Sequence, residues 1–421
     1  MAIIPEINLF DYLEINELGD LERLKLALEG IDDEDLMRRL EARRGHGRND
    51  YPVRVMWNLF IAMKIFEHKG VASFRRELSR NSQLRNLCGL KDYDKKKYLV
   101  PPARVFTGFL NILMDEQKEI DKIFDEQVSQ FFDILPGFGE NMAGDGKYLD
   151  SYAKRKPKEG QTSTDNRTEN DAEWSVKKYE YYDKNGKLQV KKEYHFGFKV
   201  HMICCAKYEF PMAYSVTAGN ADEKKEILKL LQCPVMSMEK HREIMKYLIL
   251  DRGYDSSALI KFLKDKGISP VVDIRNCWKD GEDTKQYKDT DIVYNYKGEV
   301  FYMEDADKRI KMKYEGYDKQ KKCLRYSHKG KIYKIYTSYD ERVFLPIARD
   351  SEKFKKLYKK RTSVERLNGR LDRDYFFEDH YIRGLRKMRL LASLSLVVMN
   401  GIALGKLRNG YTEIRSLKKI A

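Results

Sequence analysis

The sequence predicts an α/β protein: a mixed sheet flanked by helices, interrupted by a β-rich insertion and preceded by a helical N-terminal domain. Three observations carry that expectation. The first third of the chain has helical texture, with apolar runs broken by Pro101-Pro102. Between residues 141 and 275, short apolar stretches alternate with amphipathic ones, the pattern of strands and helices in one sheet. A Tyr- and Lys-rich segment with alternating character then separates this region from two long C-terminal helices.

Asp50-Tyr51-Pro52 precedes the apolar run Val53 to Met63, with proline at a helix start. Val71 to Leu78 predicts a second helix, ended or restarted at Asn81-Ser82. From Val105 to Phe132 helical periodicity resumes, with Phe106, Phe109, Leu110 and Leu113 on one side. A short strand then ends in Ala143-Gly144-Asp145. The polar stretch from Lys154 to Arg167 reads as a mobile loop. Tyr179–Tyr182 and Leu188–Val190 flank Asn185-Gly186, a hairpin-turn signal. Phe196–Ala206 and Met212–Thr217 are further strands, followed by a helix from Asp222 to Leu231. Leu248-Ile249-Leu250 is a short buried strand ending in Asp251. A helix from Ser256 to Lys266 and a strand at Pro270–Val272 follow. Residues 275–345 read as the insertion, Ser351–Leu371 as a long helix and Leu385–Leu404 as a more apolar one.

A chain of 421 residues has room for two or three domains. With 42% apolar and 35% charged residues it can bury a core beneath a charged surface, and 26 Gly with 10 Pro exclude a collagenous or low-complexity chain. The net charge of +15 favours polyanionic partners, nucleic acid or anionic lipid. It is not evenly spread: residues 1–140 hold 21 Lys+Arg against 25 Asp+Glu, whereas residues 346–421 hold 19 against 8. Met1–Phe10 has no signal-peptide pattern. Leu390–Gly405, the longest apolar stretch, falls short of the ~18 residues of a membrane span and contains Asn400. Cys88, Cys204, Cys205, Cys233, Cys277 and Cys323 include no C-x-x-C pair, so neither zinc nor a disulfide framework is expected, and a reducing cytoplasm is.

Three carboxylates stand out by position. Asp145 and Asp251 end short apolar strands, where chemistry collects in open α/β sheets, although strand-end Asp also serves turns and caps. Glu365 lies in a basic helix on one polar stripe with Tyr358, Arg361, Asn368 and Asp372, opposite Leu357, Val364, Leu367 and Leu371. An i,i+4 ion pair would account for Arg361 and Glu365 but not for Tyr358.

Tyr358-Lys359-Lys360-Arg361-Thr362-Ser363-Val364-Glu365 resembles the Tyr-(2)-Arg-(3)-Glu signature of bacterial insertion-sequence transposases, DDE enzymes with an RNase H-like catalytic core. The resemblance extends through Gly144-Asp145-Gly146, His195 to His201, Thr217 to Asp222, Leu250 to Asp255, and Arg349 to Leu385, covering roughly 140–405. It implies four segments: a helical DNA-end-binding domain over 1–138, the catalytic core over 139–275 and 346–405, the β-rich insertion over 276–345, and a basic tail over 406–421. One position departs from the pattern: Asp372 stands where the family has Lys, with Arg373 one step later.

The implied chemistry is phosphodiester hydrolysis at element ends, then attack of the freed 3′-hydroxyl on target DNA. Two Mg²⁺ ions ~4 Å apart, replaceable by Mn²⁺, would be held by carboxylate oxygens. By resemblance Asp145 bridges both ions, with Asp251 on one and Glu365 on the other. Tyr358 and Arg361 would contact phosphate near the scissile bond, and Arg366, Arg370, Arg373 and Lys199 would hold DNA. The expected partners are double-stranded DNA, as terminal inverted repeats and target, and a second copy of the chain, with no membrane, in a bacterial cytoplasm near the nucleoid. No P-loop is visible, and transesterification requires none. His201 reads as a core or edge residue; Trp174 reads equally as a base-stacking or a packing residue. The alternatives are a decayed or domesticated DNA-binding derivative and an RNase H-like structure-specific nuclease.

Overall fold

The computed structural model describes residues 19–46, 50–90, 100–155, 168–183, 187–305 and 308–415. The expected Asn185-Gly186 turn and most of the Lys154–Arg167 connection lie outside them.

Seven helices open the described chain: α1 (Asp20–Gly30), α2 (Glu34–Arg44), α3 (Val53–Ile65), α4 (Val71–Arg80), α5 (Ser82–Cys88), α6 (Ala103–Asp115) and α7 (Gln117–Ile134). α3 follows Pro52 and is buried on nearly every side, from Val53 to Ile65, as its unbroken apolar run requires. Asn81 starts α5 by accepting the Leu84 amide at 2.9 Å. The single periodic stretch 105–132 is two helices that break at Glu116, with Phe106, Phe109 and Leu113 buried as expected.

The mixed sheet is built from β1 (Asn141–Asp150), β4 (Glu173–Tyr182), β5 (Leu188–Cys205), β6 (Pro211–Ala218), β7 (Tyr247–Leu250) and β8 (Ser269–Val272), in the order β4-β5-β1-β7-β8, with β6 also on β5. Two short strands, β2 (Lys154–Arg155) and β3 (Thr168–Glu169), pair separately. β5 absorbs two expected strands into one, its first part pairing with β4 and its second with β1 and β6. β1 is antiparallel to β5 and parallel to β7. Helices α8 (Glu223–Leu230), α9 (Pro234–Ser237), α10 (Glu239–Arg242) and α11 (Ser257–Asp265) connect these strands.

The insertion comprises a four-stranded sheet of β9 (Lys285–Gln286), β10 (Ile292–Tyr294), β11 (Val300–Asp305) and β12 (Lys308–Lys311), and a three-stranded sheet of β13 (Lys313–Asp318), β14 (Cys323–His328) and β15 (Lys331–Tyr336). They enclose their own apolar core, including Tyr294, Val300, Leu324, Tyr326 and Phe344. Arg342, ion-paired to Asp255 at 2.7 Å, ties this unit to the main sheet.

The expected helix Ser351–Leu371 is interrupted. α12 (Glu352–Tyr358) passes through a 3-10 turn at Lys359–Arg361 into α13 (Thr362–Tyr375). α14 (Leu385–Arg408) is then the hub of the molecule. It packs on α1 and α7 as well as on β6, so the N-terminal helices and the sheet share one continuous core. Glycines allow the closest crossing: a Cβ on Gly405 would lie 2.0 Å from the Leu26 carbonyl oxygen, and one on Gly30 would lie 1.8 Å from that of Gly401. At 24 residues α14 is longer than the apolar stretch suggested. By length and composition alone it could cross a membrane, but 89% of its apolar window is buried inside the protein.

Candidate active site

β1 and β7 bring two acids to one level. Ala143 pairs with Ile249 at the end of their parallel register, and Asp145 and Asp251 each stand two residues further along. Asp251 ends its strand as expected and caps the turn Arg252–Tyr254, its Oδ1 accepting the Gly253 amide at 2.7 Å. Asp145 does not end a strand. β1 runs on to Asp150 because β5 keeps pairing with it after β7 has stopped. What ends at Asp145 is the parallel neighbour, which opens the sheet beside it.

Alternation along β1 assigns its two faces. A Cβ on Gly144 or Gly146 would meet Ile227 or Glu223 of α8, whereas Lys147 reaches Asp372 of α13 at 2.8 Å. Asp145 therefore shares the α13 face with Lys147. Burial is the main cause that pushes the Asp145 carboxyl up to about 6. The negative charges of Asp251 and Glu223 add to it, and the Gly146 amide (2.9 Å) and Arg361 oppose it.

Glu365 sits in the first turn of α13, on the α13 side of β1, and its Oε1 is 2.7 Å from Arg361 Nη2. Arg361 ends the 3-10 turn, and its charge is felt by Asp145 as well. Tyr358 ends α12 and stacks on Phe354, ring centroids 5.6 Å apart. Of the stripe expected on one helix, Tyr358 and Arg361 therefore lie before α13, and the rest lie on it.

The other predicted DNA contacts are otherwise engaged. Lys199 is 3% exposed on β5, its amine 2.8 Å from Glu223 Oε1 and over the Tyr148 ring; it is an interior ion pair, not the surface contact expected. Arg366 pairs with Glu209 at 2.7 Å, and Arg370 donates to the Glu209 carbonyl. Arg373 is exposed and pairs with its neighbour Asp374. His201 is buried and bonds Thr217 at 2.9 Å, a core residue. Trp174 is exposed and packs on Phe196.

Sequence reasoning missed Lys147, whose amine pairs with Asp372 at 2.8 Å and with Glu378 at 2.6 Å. It also stopped one residue short of Glu223, which follows the Thr217–Asp222 motif directly. A second glycine after Asp145 was the available signal, because it makes room for that carboxylate.

The donors at the Asp145–Asp251 pair are hard carboxylate oxygens, which suit a divalent ion such as Mg²⁺. A buried carboxyl whose charge is opposed by burial and by a neighbouring acid, as at Asp145, is what a cation relieves. Among the described residues no three His, Cys, Asp or Glu side chains come close enough to hold a metal, and Glu365 is paired with Arg361. The pair fits a divalent ion; the third acid stands apart from it.

Two carboxylates where a mixed sheet opens, beside a helix bearing a further acid, are the kind of arrangement that phosphoryl transfer needs. Residues 161–400 match the family described as transposase DDE domain, and the chain belongs to that family. It is a transposase, a DNA-cleaving and strand-transferring enzyme of a divalent-metal-dependent kind. Asp145 lies just before the matched stretch. No curated protein matches the sequence. Among solved structures, the chain is similar to a piggyBac transposase in a cryo-EM synaptic complex with hairpin DNA, at 12% identity and TM-score 0.38, covering 96% of this chain and 78% of that one.

Proposed function

We propose that the chain is the cut-and-paste transposase of an insertion sequence, with Asp145, Asp251 and Glu365 as its catalytic acids and Mg²⁺ as its ion. The observation that carries this reading is the placing of Asp145 and Asp251 at one level, each two residues past the end of the β1–β7 register. Bound divalent ions would activate water and offset charge on the departing oxygen.

The chain's own residues account for the rest. Arg361 stands between two acids and is the group best placed to take a DNA phosphate in bidentate fashion. A phosphate that draws Arg361 away releases Glu365, so substrate engagement completes the acid set. Tyr358, flat against Phe354, lines the same approach. Arg373 is the exposed cation nearest the helix end and takes the DNA backbone once it leaves Asp374. The N-terminal helices, to residue 138, would read element ends, and residues 276–345 and the basic tail from 406 would add backbone contacts. Two ends held together call for two copies of the chain, acting on inverted repeats and target DNA at the bacterial nucleoid.

The test is a DNA fragment carrying the gene with its native flanks, incubated with protein and Mg²⁺ or Mn²⁺ and mapped at nucleotide resolution. Breaks at two inverted sequences, absent with Glu365→Gln although that variant still binds the fragment, are expected. Binding without breaks would mean a decayed or domesticated derivative, and scattered nicks a structure-specific nuclease. Loss of binding with Glu365→Gln would give Glu365 a structural role instead.

A further inference from the structure

Glu223 opens α8 against β1 at Gly146, the residue after Asp145. Asp222 before it caps the helix, accepting the Lys224 amide at 2.9 Å, which fixes where Glu223 starts. On β1 the neighbour of Asp145 is Gly146, and a Cβ there would lie 3.2 Å from both Cδ and Oε1 of Glu223. Any side chain at 146 would push the carboxylate away. Lys199, buried beneath it, holds Oε1 at 2.8 Å and so keeps Glu223 oriented.

Tyr254 is the second, independent observation. Three residues after Asp251, it is fully buried, and its hydroxyl has no hydrogen-bond partner among the described residues. The acids whose charges act on it are Glu223, Asp145 and Asp251. A buried hydroxyl left without a partner costs about 1–3 kcal/mol. A buried donor without a partner, within electrostatic reach of three acids, has room for a bound oxygen as its acceptor, and a water on the ion of the Asp145–Asp251 pair would satisfy it.

We propose that Glu223 is a fourth carboxylate of the metal centre, reaching the ion of Asp145 and Asp251 through a water molecule that Tyr254 also holds. The inference rests on the metal-site reading above. Glu223 and Tyr254 are positioning residues: they hold the ion's water shell from the α8 face, while Glu365 approaches from the α13 face. Lys199 belongs to the same device as the counter-charge that stops Glu223 from closing on the ion directly.

The test is Mn²⁺ binding to the full chain without DNA, followed by the paramagnetic resonance of free Mn²⁺. Asp145→Asn should abolish the tight site. Glu223→Gln and Tyr254→Phe should each weaken it on the order of 10- to 100-fold. Tyr254→Phe removes only an unpartnered hydroxyl, so its melting temperature should not fall. It therefore decides the question even if Glu223→Gln, which strands the Lys199 charge, fails to fold. Wild-type affinity in Tyr254→Phe and in any folded Glu223 variant, with binding lost in Asp145→Asn, overturns this proposal and leaves the active-site reading standing. Wild-type affinity in Asp145→Asn, or no tight site in the wild type, overturns both.

Discussion

Asp145 illustrates what a buried acid costs the protein that carries it. Its carboxyl titrates near 6 when folded, against an ordinary 3.8, because burial, Asp251 and Glu223 all oppose its charge. A carboxyl raised on folding stabilises the folded state while protonated, and that contribution disappears as pH climbs through about 6. Metal-free Asp145→Asn, which has no charge to resist, should melt above the wild type near pH 8, with the gap narrowing as pH falls below about 6 and closing only towards the ordinary 3.8. A divalent ion should reverse the order by raising the wild type alone. Thermal melts across that range, with chelator and with Mg²⁺, check both halves. A gap that ignores pH would show that the crowding is relieved by some other route. Arg361 lends Asp145 part of that relief, its charge opposing the rise.

At the scale of elements, the order of helices and strands was legible from periodicity and turn residues, and so were the two Asp and the Glu that the signature marks. What was not legible shares one cause: it depends on partners distant in sequence. β1 runs past Asp145 because β5, some fifty residues later, continues to pair with it. Lys147 matters only because α13 sets Asp372 above it, and Glu223 only because Gly146 leaves space on another strand. The break between α12 and α13 has a similar character, since nothing in Lys359-Lys360-Arg361 forbids an α-helix. Glycine provides a direct contrast. In helices, Gly→Ala ordinarily gains up to ~1 kcal/mol. Gly108→Ala, on exposed α6 with nothing within 4 Å, should show that gain. Gly405→Ala should instead lose on the order of 1–3 kcal/mol, because its new methyl meets the Leu26 carbonyl oxygen at 2.0 Å. Urea denaturation of the two variants should move the midpoint in opposite directions.

At the scale of the whole molecule, composition suggested separate helical and catalytic parts, but the helices preceding β1 are not an autonomous body. α14 fills the space between them and the sheet, with Gln117 bonded to Ser393 at 3.0 Å and Gln127 to the Val397 carbonyl at 3.1 Å. Residues 1–138 expressed alone should therefore lack a cooperative unfolding transition, by circular dichroism, that the full chain has. A sharp transition in the fragment would mean the shared core is optional. The insertion is the opposite case, with a core of its own fastened by few contacts. The crossing of α1 and α14 also has a consequence in time. It joins residues 26–30 to residues 401–405, nearly the full span of the chain. During synthesis the face of α1 that crosses α14 stays without that partner until residues 401–405 have been added, although α1 can already pack on α3. That face must be shielded until then, and a message cut short anywhere before α14 yields a polypeptide whose N-terminal helices lack the helix that completes their core.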